Sequence, residues 1–115
     1  MNGRCTGLFR KVTMCLIQIL LPLFDNNGRQ FPQHEYERVR DELTEHFGGI
    51  TTYVRSPAKG LWKESSSITV HDDIVIYEVM TEILDRQWWL AYRQELAVRF
   101  RQEVLIVRAC EMQLI

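Results

Sequence analysis

Asp72-Asp73-Ile74-Val75-Ile76-Tyr77-Glu78-Val79-Met80 decides how this chain is built, because the stretch presents two apolar faces where a surface strand presents one. Residues two apart on a strand share a face. Val75, Tyr77 and Val79 make one wholly apolar row; Ile74, Ile76, Glu78 and Met80 make the other, interrupted only by a carboxylate. The segments 15–22 and 104–112 repeat the pattern. Ile17, Ile19 and Leu21, with Leu105, Val107 and Ala109, extend the first face; Leu16, Gln18 and Leu20, with Val104, Ile106, Arg108, Cys110 and Met112, extend the second. A sheet of this kind needs cover on both sides.

The remaining elements supply cover for one side. Strand one closes at Pro22, and Asp25-Asn26-Asn27-Gly28 provides turn chemistry. Helix one follows Phe31-Pro32, with Tyr36, Val39, Leu43 and Phe47 on one stripe, and Gly48-Gly49 stops it. Residues 50–54, Ile-Thr-Thr-Tyr-Val, read as strand two. An irregular connection over 55–67 leads into strand three, 68–80. Helix two starts at Asp85 as N-cap, with Leu84 and Trp89 spaced as a hydrophobic staple, and its stripe is Trp89, Tyr92, Leu96 and Phe100. Strand four, 104–114, ends the chain. The order βαββαβ predicts an α+β domain of the ferredoxin-like kind, with an antiparallel sheet ordered 4-1-3-2 and both helices on one face.

The second face is expected to be covered by a second copy, since a two-fold contact between identical apolar patches is self-complementary. The expected assembly is a homodimeric α+β barrel. The alternative cover is the 55–67 loop, led by Leu61 and Trp62. On this face Gln18, Glu78 and Arg108 fall on neighbouring strands, and two roles are open to them. Glu78 and Arg108 pair structurally, because a buried charge without a partner is costly; or the three line a chamber for a small polar ligand. In the catalytic form of the second role Glu78 accepts a proton and Arg108 anchors a substrate anion. Gln18 then orients it, Tyr53 or His71 is a donor at the mouth, and Trp62 is a further ligand-binding residue that serves either form of cover.

Composition excludes several other classes. The 115 residues allow one domain, and 46% hydrophobic content allows a sizeable core. A net charge of −1 with interleaved signs gives no footprint for nucleic acid or an anionic membrane. The open-face positions also lack the aromatics on which RNA-binding sheets stack bases. The apolar run 16–24, broken by Gln18 and Pro22, falls short of the roughly 20 residues a membrane span needs. Three cysteines without CxxC spacing argue against a disulfide scaffold or a zinc site. Cys15 and Cys110 fall on opposite faces, so a reducing cytoplasm is the expected location. His71-Asp72-Asp73 has no second histidine at useful spacing, the glycine-rich nucleotide cradles are missing, and Ser65-Ser66-Ser67 has no evident base. Neither metal nor cofactor is expected. His34 and His46 are read as solvated, and Trp88 as a flank residue beside a core Trp89. Residues 1–13 hold three bases and no acid. They are read as a loose tail or a start-site artefact ahead of Met14, leaving 14–115 as the domain.

The segments Ile17-Gln18-Ile19-Leu20-Leu21-Pro22-Leu23-Phe24-Asp25-Asn26, Phe47-Gly48-Gly49-Ile50-Thr51-Thr52-Tyr53, Gly60-Leu61-Trp62-Lys63 and Asp73-Ile74-Val75-Ile76-Tyr77-Glu78-Val79-Met80 together resemble a family of small, uncharacterised bacterial proteins with a ferredoxin-like fold. More distantly, the layout is similar to dimeric α+β barrel proteins, among them cofactor-independent monooxygenases, isomerases and decyclising enzymes. The nearer resemblance implies no activity, and the wider one rests on architecture, which many chemistries share. Two functions are therefore expected. The leading one is a small cytoplasmic homodimer acting as a ligand-binding or interaction module. The other is a cofactor-independent, monooxygenase- or isomerase-like enzyme acting on a small organic acid or aromatic.

Overall fold

The computed structural model describes residues 12–48, 51–55 and 74–115. Its elements in chain order are β1 (Val12–Pro22), α1 (Gln33–Phe47), β2 (Thr51–Arg55), β3 (Ile74–Thr81), α2 (Arg86–Arg99) and β4 (Ile106–Leu114). This is an α+β arrangement with two helices among the described residues and an antiparallel sheet, as the alternation and stripes led us to expect. The strands pair in the order β2-β3-β1-β4.

Each helix begins and ends where its local chemistry requires. Asp85 stays extended and its carboxylate accepts the Trp88 backbone N–H at 3.1 Å, satisfying one of the donors a helix start leaves free. Pro32 precedes α1 in an extended conformation, φ −63° and ψ 147°, so the ring costs no helical hydrogen bond. Gly48 ends α1 at φ +87° with its N–H on the Thr44 carbonyl, a conformation that disfavours any side chain. The turn after β1 closes on Asp25, whose Oδ1 accepts the backbone N–H groups of Asn27 and Arg29, both at 2.8 Å.

The core lies between the helices and one face of the sheet. Ile17, Ile19 and Leu21 of β1 and Val79 of β3 are wholly buried there against Val39, Leu43, Leu96 and Phe100. Trp89 and Tyr92 complete the α2 stripe, and Leu84 packs against the same cluster. Burying each such side chain is worth about 1.5–3 kcal/mol, which is what fixes the helices to this face. Two tyrosines secure α1 to the sheet: Tyr36 donates to the Pro22 carbonyl and Tyr77 to the Tyr36 carbonyl, each at 2.6 Å. Burial pushes the Tyr77 hydroxyl up to about 12 and raises that of Tyr36 as well, so both remain neutral donors at ordinary pH.

Several expectations shift in detail. β1 starts at Val12, because Val12 and Thr13 pair with Leu114 and Gln113 of β4; two residues assigned to the leading tail are strand residues. Residues 1–11 lie outside the described residues. β4 starts at Ile106, leaving Val104 before it and 72% exposed. β3 is described from Ile74, so its expected beginning at 68 falls outside, as do residues 56–67 of the long connection. Trp88 stands on the flank of α2 as expected, where the His46 ring stacks on it at 4.1 Å and 8°. His46 is exposed yet not simply solvated.

Candidate functional site

Register brings the three polar residues of the open face into one row. Gln18 of β1 stands directly opposite Glu78 of β3 on one side and Arg108 of β4 on the other. Neighbouring strands lie about 4.8 Å apart, so the amide of Gln18 reaches both. Its Nε2 donates to Glu78 Oε2 at 2.6 Å, and its Oε1 accepts from Arg108 Nε at 2.7 Å. Guanidinium only donates and carboxylate only accepts, so the two charges fix which way the amide points. Thr51 of β2 lies opposite Glu78 and carries the row to the fourth strand.

The expected link between Glu78 and Arg108 thus runs through Gln18. Opposite charges held on the two ends of one amide make charge-assisted hydrogen bonds, which are shorter and stronger than neutral ones. In the single chain, however, this row is not in a chamber. Arg108 is exposed, and Gln18 and Glu78 are half-buried.

Above and below the row the face is apolar but unevenly open. Leu16, Met80 and Cys110 form one neighbouring row; Leu20, Ile76 and Ile106 form the other. Ile76 is wholly buried although it faces away from the helices, whereas Met80 is 49% and Ile106 51% exposed. The open part therefore lies over β4 and the Met80 end of β3, with β1 half-buried between them. Cys110 faces this side while Cys15 packs against the helix-side core, so the two cannot meet; both are free.

The other expected site residues are not brought to the row by anything described. Tyr53 is placed on β2 opposite Ile76, with its side chain outside the described residues. His71 and Trp62 lie outside them altogether, as does the His71-Asp72-Asp73 group. Among the described residues no cluster of three or more metal-ligating side chains occurs, and no helix is long and apolar enough to cross a membrane.

Sequence reasoning missed a second polar network, on the outer side of the helix layer. Glu42 of α1 accepts from the Tyr92 hydroxyl at 2.7 Å and from Arg99 through both oxygens, at 2.9 and 3.1 Å; Arg38 approaches at 3.4 Å. Burial opposes ionisation of Glu42, but the hydrogen bonds from Arg99 and Tyr92 and the charges of Arg99 and Arg38 outweigh it and hold the carboxyl below its ordinary range. Burial and the same carboxylate push the Tyr92 hydroxyl far up. This network joins α1 to α2 and is structural in character: every member has a partner within it. No known protein family, curated protein or solved structure matches the chain.

Proposed function

We propose that this chain is a ferredoxin-like, homodimeric binding module whose open sheet face, over β4 and the Met80 end of β3, meets a second copy of itself. The ferredoxin-like reading, with its 4-1-3-2 order, is supported by the β1–β3, β1–β4 and β2–β3 ladders together with two helices packed on one face. The observation that carries the dimer is the pairing of half-exposed Met80 and Ile106 with a row of hydrogen-bonded charges between them. Such a surface suits partial desolvation: Gln18 occupies one donor of Arg108 and one acceptor of Glu78 in advance, which lowers the cost of covering the row. A lone wet sheet has no need of that arrangement.

The enzymatic alternative would have Glu78 act as a base. Glu78 is engaged by Gln18 in the single chain, which favours the binding role over proton transfer. Both readings meet in one experiment. Glu78→Gln keeps the volume but removes the charge that orients the amide, so the binding module predicts a weakened dimer and a lower melting temperature. A dimer of unchanged affinity and stability, with loss of a turnover activity, would instead establish the catalytic role.

A further inference from the structure

On the helix side of the sheet, α2 does not extend over the whole of β4. Ala109 belongs to the helix-facing row yet is exposed, and Val107 is only half-buried. The space beside them is a groove of about 390 Å³ between α2 and β4, within the size range of small-ligand sites. Its floor is apolar: Ile17, Leu84, Trp89, Leu90 and Val107. Leu90 is 50% exposed there, a large apolar side chain held at the surface of the groove.

Two features make this groove specific in its chemistry. Arg86 and Arg93 line it one helical turn before and one turn after Trp89, Arg108 of β4 borders it as well, and no carboxylate is among the lining residues. Neither Arg86 nor Arg93 has an ion-pair partner among the described residues, whereas Arg38, Arg40, Arg99 and Arg101 all do. The second feature is Trp89 itself. It is 5% exposed, and its indole Nε1–H is buried without a hydrogen-bond acceptor among the described residues. Buried donors are almost always satisfied, and the side chain that carries this unsatisfied one lines the groove.

We infer that this groove binds an amphipathic organic anion, a monocarboxylate whose chain or ring lies on Leu84, Trp89, Leu90 and Val107. Its carboxylate meets the guanidinium groups of Arg86 and Arg93 and accepts from the Trp89 indole. Arginine suits this role because its planar donors match a carboxylate edge to edge. An ammonium head would meet two cations, and a neutral head would leave both arginines solvated as before. The groove opens on the helix side of the sheet and meets the proposed dimer face at Arg108, which borders the groove while its Nε donates to Gln18 of the open-face row.

Octanoate, octanol and octylamine share one apolar chain and differ in the head group. Titrating each into the full-length protein, while following the Trp89 indole resonance in ¹H–¹⁵N correlation spectra, tests the site directly. Trp89→Phe identifies that resonance by its disappearance. Octanoate is expected to move it saturably, with the proton shifted downfield as it gains an acceptor. Octanol and octylamine should bind at least about tenfold more weakly, as should octanoate to the Arg86→Gln/Arg93→Gln variant, since a charge-assisted hydrogen bond is worth about that factor or more. The inference is overturned if octanoate leaves the Trp89 resonance unmoved, if octylamine or octanol matches it, or if the double arginine variant binds octanoate as well as the parent. The readout is local to Trp89, so a monomeric protein would refute the dimer and leave this result standing.

Discussion

Gln18 is the residue on which the open face turns, because its amide touches both charges of the row. Gln18→Leu removes a donor from Glu78 and an acceptor from Arg108 at nearly constant volume. On a wet face water replaces both, and the change in monomer stability should stay below about 1 kcal/mol. Under a second copy the introduced leucine offers neither charge a partner, and a loss of about 1–3 kcal/mol corresponds to a rise in the dimer dissociation constant of roughly 5- to 150-fold. Sedimentation equilibrium against urea unfolding separates the two quantities. Glu42 carries a prediction of a different kind. Its folded carboxyl titrates below the ordinary glutamate value of 4.5, so the protein gains stability from it above that value and loses it as the pH falls through the folded value. Glu42→Gln should therefore destabilise at pH 7, by about 1–2 kcal/mol since Arg99 loses one of its two carboxylate partners and keeps Glu95, and this difference should shrink as the pH is taken below 4.5 in parallel denaturant titrations. The members of the open-face row were identifiable from alternation alone. Their common height was not, because alternation fixes the face of a residue and only register fixes its neighbours across the sheet. The Glu42, Tyr92 and Arg99 network had no comparable signal: Tyr92 and Arg99 lie one heptad apart on α2, and nothing local shows that a carboxylate of α1 sits against them.

Helix α2 shows how far an element can be read from its own residues. Asp85, Leu84 and the stripe Trp89, Tyr92, Leu96 and Phe100 lie within one segment, and the period of 3.6 places them without knowledge of the rest of the fold. Asp85→Ala should cost about 1 kcal/mol through the freed Trp88 N–H, read as a shift in the urea midpoint with an unchanged slope. A changed slope would mean that the cap holds more than the first turn. The end of α2 is less legible. Arg101 adopts φ +54°, a conformation in which glycine or asparagine is usual, while its guanidinium lies over the Phe31 ring at 5.2 Å. That pairing depends on a residue 70 positions away, and no local rule anticipates it. The groove beside α2 was hidden for a related reason. Arg86 and Arg93 read as ordinary solvent-facing positions until β4 is placed beside them with Ala109 uncovered.

For the molecule as a whole, the two-sided sheet is the organising fact. The helices account for one side through Ile17, Ile19, Leu21, Val75, Tyr77 and Val79. The other side holds Leu16, Leu20, Met80, Ile106, Cys110 and Met112 around a row of two charges linked through an amide. A stable interface of standard size buries roughly 1,600 Å² in total, and a face-to-face meeting of sheets is a compact way to reach it. Multi-angle light scattering of the native chain at micromolar concentration is the most direct test. The account predicts a species of twice 13.7 kDa that Ile106→Glu converts to a folded monomer. A monodisperse species of 13.7 kDa for the unaltered chain would contradict it.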